Sequence, residues 1–422
     1  MKRFLTLAST ALLSIGALSA QEAPKEEKPI KLKPYGFIRN YFYFDSRQNV
    51  QSSNGLYNQI PKDELLDVNG DDLNDVASSS FLAFTTRLGL NITGPDVLGA
   101  SSSAKIESDF AGFSSSTTML RIRQAYMKLD WKRNSLLLGQ AWHPMTGELP
   151  DVLALASGSP FEPFSRSPQL RYDYRLNHFK FTLAAIYQLQ YTSVGPDGGS
   201  NVYSKNAILP ELFGGIEYKA NGFNLGIGAD FCRIAPRTTA TVKEFVSPVT
   251  KDTIADAKVK VSEYVQGISP VLYASYTDKS FGIKAKTTLA ENTAHLNMMS
   301  GYAVSEEKKD GSREYTPLRS STSWINCYVG NKYRLNLFLG YSKNLGTDDK
   351  VVGDVYVKGA KNIDQIYRVA PAFSYNLKHF NLGVEYEMTT VDYGKKVDDH
   401  LEVSDTHSVT NHRICGMVKY NF

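Results

Sequence analysis

Basic side chains recur at even spacings within several short segments of the chain. Arg121 and Arg123 lie two positions apart, and Arg171 and Arg175 lie four apart. In an extended strand, such residues point to the same side, with about 7 Å between neighbours at 3.3–3.4 Å per residue. A guanidinium group stays charged and can donate two parallel hydrogen bonds to a carboxylate. These spacings predict a surface that attracts anions.

Catalytic motifs are absent from the sequence. The histidines are scattered, and no HExxH, GxSxG, P-loop or CxxC pattern occurs. Only Ser408, near His412, offers a pair that a hydrolase could use. The sequence therefore favours a protein that is not an enzyme and needs no cofactor, and a hydrolase remains a minor alternative. The formal net charge is +4, and it becomes +2 when Lys2 and Arg3 are removed. So small a charge identifies no partner, and no nucleic acid is expected.

One acidic segment resembles the start of a calcium-binding loop. Asp67, Asn69 and Asp71 provide oxygen ligands at alternating positions. Asp72 stands where the tight-turn glycine of such a loop is expected, and no Glu occupies the twelfth position. The segment is therefore predicted either to bind calcium or to be a solvated acidic loop.

Long alternating segments carry these residues. From Phe179 to Tyr191, every second residue is apolar or aromatic, and this length exceeds the usual globular strand of about five or six residues. Sixteen such segments are predicted, near 34–45, 80–93, 102–110, 118–131, 135–142, 168–176, 178–192, 210–219, 223–234, 262–276, 280–291, 321–330, 333–343, 363–376, 379–393 and 407–422. Long and short connections alternate between them, as in outer-membrane barrels. The pattern predicts an all-β, sixteen-stranded antiparallel transmembrane β-barrel, and a soluble all-β protein is the alternative.

The two ends of the chain indicate export to the bacterial outer membrane. Residues 1–20 read as a signal peptide, with Lys2 and Arg3 before an apolar stretch too short to span a bilayer. Residues 21–33 are predicted to form a short periplasmic lead, and 34–422 the barrel. The last strand alternates up to Phe422, with apolar side chains toward lipid. No later run of about 18 apolar residues occurs, and three widely spaced cysteines are expected to be free.

The apolar face of each segment fixes which residues point into the barrel. The predicted inward basic residues are Arg39, Arg87, Lys105, Arg121, Arg123, Arg171, Arg175, Lys180, Lys284, Lys286, Arg334, Arg368 and Arg413. The predicted inward acidic residues are fewer: Glu107, Asp109, Asp173, Asp230, Glu385 and Glu387. A change of parity near Gln124 and Ala125 predicts a β-bulge there. The excess of basic residues favours anions, although pairing with the inward acids is the alternative.

The connection Trp142–Ser167 is predicted to fold into the barrel lumen. Its apolar stretch Val152–Ala156 needs cover, and Glu148 to Ala156 could form a short helix. Glu148 and Asp151 would then narrow the lumen together with the basic residues. An exposed surface loop is the alternative.

Three motifs in the region 118–175 resemble the trimeric porins of the dicarboxylate-uptake type. These are the strand from Leu120 to Tyr126, the segment Leu137–Trp142 and the segment Ser167–Tyr172; that family shows Arg-Leu-Arg-His-Ala-Tyr, Gly-Gln-Thr-Trp and Arg-Gln-Pro-Gln-Leu-Arg-Tyr strands in this order. Gln124 replaces the family's His, and Ser167 stands where a Gln would be. The resemblance implies sixteen strands, a homotrimer, an inward third loop and passage of small, often anionic, solutes. Carried over by position, Arg121, Arg123 and Arg171 would line the constriction.

We therefore expect an outer-membrane porin in contact with lipid and lipopolysaccharide, through which small hydrophilic solutes diffuse passively, with a preference for anions such as carboxylates. The alternative from another class is a surface adhesin or binding barrel with a plugged lumen.

Overall fold

The architecture is a closed, antiparallel β-barrel of sixteen strands. A computed structural model describes residues 28–52, 55–112, 118–155, 158–246 and 248–422. The predicted signal peptide and Ala156 lie outside the described residues. The last residues of the predicted periplasmic lead, Lys31–Lys33, form the start of the first strand.

Neighbouring barrel strands are consecutive in the chain. In chain order they are Lys31–Asp45, the interrupted strand Ser78–Leu82 with Arg87–Val97, Ala100–Asp109, Arg121–Asp130, Asn134–Trp142, Arg166–Leu176, Phe179–Ile186, Glu211–Ala220, Phe223–Ile234, Val265–Thr277, Phe281–Glu291, Arg313–Val329, Tyr333–Asn344, Ile363–Asn376, Phe380–Val397 and Val403–Asn421. Closure comes from the first strand, which pairs with the last from Phe37↔Asn421 to Asp45↔Arg413. All sixteen predicted strands are thereby confirmed.

Shorter elements lie in the connections at the long-loop end. The strands among them are Asn49–Ser52, Tyr57–Pro61, Val194–Gly195, Gly198–Gly199, Thr239–Val246, Thr253–Lys260, Gly301–Glu307 and Val355–Val357. The helical elements are the α-helix Val202–Asn206 and the 3₁₀ turns Pro144–Thr146 and Ala294–Leu296. No helix of the described chain is long and apolar enough to cross a membrane.

The outer surface carries an apolar belt bordered by aromatic rings. Apolar side chains such as Leu183, Ile227 and Ile325 are exposed on the outside of the barrel. At the short-turn end, rings from adjacent strands lie side by side, as in Tyr333 and Tyr375, whose centroids are 5.1 Å apart. An apolar band with aromatic girdles is the surface that a barrel presents to lipid.

The strand Arg121–Asp130 contains the predicted bulge. On the neighbouring strand Ala100–Asp109, Glu107 pairs with Gln124 and the next residue, Ser108, pairs with Ile122, so Arg123 is the extra residue. The bulge shifts the alternation by one residue, and Arg121 and Arg123 both point into the barrel. The three cysteines are free, as predicted.

Three segments from the long-loop end enter the lumen. One is the third loop, 143–165, which was predicted to do so, and its contacts with the inner wall are described below. The others are the hairpin of Asn49–Ser52 and Tyr57–Pro61, where Leu56 and Ile60 are buried, and the turn Ala294–Leu296, which is buried throughout. The sequence did not predict these two.

The predicted helix from Glu148 to Ala156 is wrong for its described part, 148–155, which is non-helical. Backbone N–H groups of this segment donate to side chains of the barrel wall instead of to carbonyl groups of a helix. Asp151 donates to Asn326 Oδ1 at 2.8 Å, and Leu153 donates to Glu385 Oε2 at 2.8 Å. A helix would need those donors for its own carbonyl groups.

Candidate functional site in the barrel lumen

The third loop is fastened to one side of the lumen by its acidic residues. Glu148 accepts hydrogen bonds from Asn224 and Ser275 and forms an ion pair with Lys284 at 3.0 Å. Glu162 binds Lys286 Nζ at 2.7 Å. These acids therefore compensate lysines of the wall behind the loop.

Asp151 and Glu162 complete this attachment. Asp151 lies 3.5 Å from Lys284 and 3.9 Å from Arg334. Glu162 also accepts a hydrogen bond from the indole of Trp324 at 2.7 Å. The two predicted constriction acids, Glu148 and Asp151, thus lie in the lumen as anchors of the loop.

Across the lumen, three cations surround the ring of Phe37. The guanidinium carbons of Arg39 and Arg87 each lie 4.9 Å from the ring centroid, and Lys419 Nζ lies 4.5 Å from it. Arg39 and Lys419 are cross-strand partners on the first and last strands. Like charges placed directly opposite destabilise a strand pair, so the ring's negative face is their local compensation.

Two hydrogen-bond donors of this cluster have no partner within the described residues. Arg39 Nε donates to Thr85, whereas its buried NH2 group has no acceptor in the described part of the chain. The same holds for Arg87 Nε, and the carboxylate of Glu107 is 3.6 Å from NH1 of Arg87. Buried donors of this kind are costly unless something satisfies them.

Arg121 and Arg123 are already bonded to carboxylates. Arg121 forks onto Asp109, with Nε at 3.0 Å and NH2 at 2.8 Å. Arg123 bridges Glu107 at 2.9 Å and Asp109 at 2.7 Å. Their charge remains in the lumen, but the forks that the sequence offered to a dicarboxylate are occupied by the protein itself.

Arg166, the first residue of the strand that follows the third loop, is a further basic residue. Its guanidinium lies 4.8 Å from the ring of Trp142 and 5.2 Å from that of Phe164. It donates to Tyr191 Oη at 2.5 Å, while its buried Nε and NH1 have no partner among the described residues. Arg166 belongs to the connection Trp142–Ser167, which was predicted to enter the lumen.

We define the basic wall as seven cations and two carboxylates: Arg39, Arg87, Lys105, Arg121, Arg123, Arg166, Lys419, Glu107 and Asp109. Its formal charge of +5 is seven minus two. Because low-dielectric protein surrounds these groups, their net charge makes the electrostatic potential in the adjacent lumen positive.

Two cavities in the lumen lie against residues of the basic wall. A cavity of about 280 Å³ is bounded by Arg39, Arg87 and Lys419 on one side and by Leu149, Pro150, Val152 and Leu155 of the third loop on the other. A second, of about 260 Å³, is bounded by Arg121, Tyr191 and Lys358. Tyr57 and Ser159 line both and therefore separate them.

The remaining predicted basic residues lie away from the Phe37 cluster. Arg171 lies 3.5 Å from Asp173, beside another cavity of about 230 Å³. Arg175 lies at the short-turn end, where it contacts Asp130 at 3.4 Å and Ser135 at 3.2 Å. The structure thus separates Arg175 from the constriction.

The acidic segment of the first loop forms a turn. Asp67 Oδ1 accepts hydrogen bonds from the backbone N–H groups of Asn69 at 2.7 Å and Asp71 at 3.0 Å. These N–H groups, first that of Asp71, lower the pKa of Asp67 below its usual value. The oxygens are thus used within the turn, and calcium binding at Asp67, Asn69 and Asp71 stays a prediction.

Ser408 and His412 bond to different residues. Ser408 donates to Asp392 at 2.6 Å, and His412 Nδ1 contacts the hydroxyl of Tyr386 at 2.8 Å. The structure therefore does not join the serine and histidine that a hydrolase would need.

Comparisons with known proteins address the fold. No family model and no curated protein matches the chain. Among solved structures, the outer membrane channel DcaP of Acinetobacter baumannii is similar with a TM-score of 0.63 at 19% identity, covering 95% of this chain and 99% of that one. The outer membrane protein OmpT of Vibrio cholerae, in a trimer form, has a TM-score of 0.54 at 12% identity, covering 94% and 100%. OmpF of Salmonella typhi in complex with daunomycin has a TM-score of 0.50 at 11% identity, covering 93% and 97%.

The chain therefore has the fold of the outer-membrane porins. The closed barrel and its apolar outer belt place it in the bacterial outer membrane. In barrels of this kind the short turns lie on the periplasmic side and the long loops face outward. Here the first strand begins and the last strand ends at the short-turn end.

Proposed function

We propose that the protein is a porin through which small hydrophilic solutes diffuse passively, with a preference for anions such as carboxylates. The observation that carries this proposal is the basic wall, whose formal charge is +5 and whose Arg39 and Arg87 line a cavity in the lumen. A ring of such groups raises the local anion concentration and lowers that of cations.

The Phe37 cluster is the proposed anion site. A carboxylate could accept hydrogen bonds from Arg39 and Arg87 while Lys419 contributes charge, and the aromatic ring holds the three side chains together. On the facing loop, Leu149 and Val152 are uncharged, and the carboxylate of Glu162, which also lines this cavity, is paired with Lys286 at 2.7 Å. The bond must be weak enough for release, so the effect should be in flux and selectivity more than in tight binding.

We further propose a homotrimer of the dicarboxylate-uptake type. The sequence motifs at 118–175 and the likeness to DcaP support the type, and the trimer form of OmpT supports the assembly. Contact with lipopolysaccharide at the outer rim belongs to the same proposal. Crosslinking in native membranes should yield a species of three chains.

A binding barrel with a plugged lumen is the second candidate. It is favoured by the three segments that enter the lumen, since each narrows the path for solutes. Transport rather than catalysis or adhesion is the function that the unbalanced basic wall favours.

Planar-bilayer recording separates the two candidates. Purified protein should give open, ohmic steps, and in a KCl gradient the reversal potential should show that chloride is preferred. Liposomes containing the protein should also admit succinate faster than a neutral sugar of similar size. A silent bilayer would refute the porin, and a preference for potassium would leave a porin without the anion site.

A further inference from the structure

A second group of functional side chains is buried behind the third loop. It comprises His143, Glu211, Asp230, Cys232 and His295, which come from four separate parts of the chain and are each at most 5% exposed. His143 begins the third loop, Glu211 begins a barrel strand, Asp230 and Cys232 lie on the next strand, and His295 lies in the turn Ala294–Leu296. The basic wall does not include any of them.

Glu211 is the centre of this group. Its Oε1 lies 2.7 Å from His143 Nε2 and 3.0 Å from His295 Nε2. Single ligand atoms of Glu211, Cys232 and His295 all lie within 4.8 Å of one another. Ligands around one tetrahedral zinc are about 3.3–3.7 Å apart, given metal–ligand distances of about 2.0–2.3 Å, so small side-chain rotations would bring these three into place.

Several buried atoms of the group have no hydrogen-bond partner in the described chain. Nδ1 of His295 is one of them, and both oxygens of Asp230 and Oε2 of Glu211 are satisfied only if the two carboxyl groups share a proton. Within the described residues, the ion pairs of Glu211 and Asp230 are with histidines only, and the Asp230 contact with His143 is 3.8 Å long. Buried carboxylates require a positive charge or donors nearby, and a bound cation would supply the charge.

The hydrogen bonds of His143 give it a positioning role. Its Nδ1 accepts from the N–H of Met145 at 3.2 Å, so in the neutral ring Nε2 carries the proton and donates to Glu211. A nitrogen that carries a proton cannot bind a metal. His143 therefore orients the Glu211 carboxylate from outside the ligand set, as second partners commonly do at metal sites.

We propose that Glu211, Cys232 and His295 bind one divalent transition-metal cation of the zinc class, with His143 as a positioning residue. Thiolate, imidazole and carboxylate are the donors that such cations prefer, whereas calcium and magnesium take oxygen ligands. The cation would join the barrel wall to the turn Ala294–Leu296 and, through His143, to the start of the third loop. It would thus hold in place two of the segments that enter the lumen.

Cobalt(II) titration of the chelator-treated, untagged protein tests the site directly, because a cobalt–thiolate bond gives a charge-transfer absorption band. The wild type should bind one cobalt per chain with this band, and zinc should abolish the band. The variant Cys232→Ser should lose the band, and His295→Gln should bind cobalt at least about tenfold more weakly. Cys415→Ser, which changes another buried thiol on a distant strand, is the matched control and should behave as the wild type.

The double variant Cys327→Ser/Cys415→Ser covers the case in which Cys232→Ser does not fold, because it leaves Cys232 as the only thiol of the three. It should retain the full band. Absence of a band in the wild type, loss of the band in this double variant, or its persistence in folded Cys232→Ser would each overturn the proposal.

Discussion

Two cross-strand pairs on the same two barrel strands differ in their charges. Arg39 faces Lys419, whereas six residues along the first strand Asp45 faces Arg413. Arg413 forks onto Asp45 with two bonds of 2.8 Å, and both side chains are buried. Arg39 and Lys419 repel each other beside a cavity, and both contact the ring of Phe37.

The difference indicates which pair serves stability and which serves transport. A bidentate pair with an opposite charge satisfies its own donors and offers little to a solute. A like-charged pair lowers stability, and the anion site that we propose would account for its presence at the lumen wall. Repulsion between the two cations is relieved each time an anion lies between them.

The largest effect should come from breaking the balanced pair. Asp45→Asn leaves Arg413 buried and without its carboxylate, and should lower the free energy of unfolding by about 3–5 kcal/mol. Lys419→Gln removes a repulsion and should change it by no more than about 1 kcal/mol, toward greater stability. Urea unfolding in detergent, followed by the heat-dependent gel mobility of the barrel, measures both. Equal losses in the two variants would contradict the division of roles.

The second largest effect should be on ion selectivity, and it should come from the variants of the like-charged pair. One charge acting over about 10 Å of water contributes about 0.4 kcal/mol, so Arg39→Gln and Lys419→Gln should each lower the chloride-to-potassium permeability ratio about twofold. Arg39→Lys keeps the charge and should preserve the ratio. Arg175→Gln, at the periplasmic end, is the control for charge outside the constriction. An equal fall with Arg175→Gln would show that only the total charge of the lumen matters.

The smallest effect is expected from a variant that distinguishes long-range electrostatic attraction of the solute from direct contact with it. Arg121→Gln removes a charge whose donors are already bonded to Asp109. We expect it to lower chloride preference but to change the succinate-to-sugar flux ratio less than Arg39→Gln does. Swelling of liposomes in matched solutions measures that ratio. If Arg121→Gln reduces it more than Arg39→Gln, the solute contacts Arg121 and the proposed site must move there.

The barrel was predictable because each strand has one face toward lipid and the other toward the lumen. Lipid on one side and the lumen on the other impose a period of two, and short turns such as Asn177 mark where strands reverse. The parity argument also gave the inward direction of Arg39, Arg87 and Arg123. It was less successful where loops alter strand ends: Phe179–Ile186 ends six residues before its predicted limit, and Arg313–Val329 begins eight residues before its own.

The hairpin in the first loop had a signal that was overlooked. Asn54-Gly55 is a dipeptide typical of tight hairpins, and it lies between Val50 and the apolar residues Leu56 and Ile60. That Tyr57 would then divide the lumen depended on the positions of other loops. The inward direction of Lys419 could also have been predicted, since the alternation of the last strand puts it on the lumen side.

The sequence by itself determined the barrel, the direction of its side chains and the excess of basic residues in the lumen. These follow from local periodicity, which neighbouring residues encode. The tertiary structure decided which charges are neutralised. Arg121 and Arg123 pair with carboxylates on the adjacent strand, whereas Arg39 and Lys419 have no ion pair with any described carboxylate. It also decided that Glu211, Cys232 and His295 would meet, because residues so far apart in the chain become neighbours only when the barrel closes and the loops fold into it.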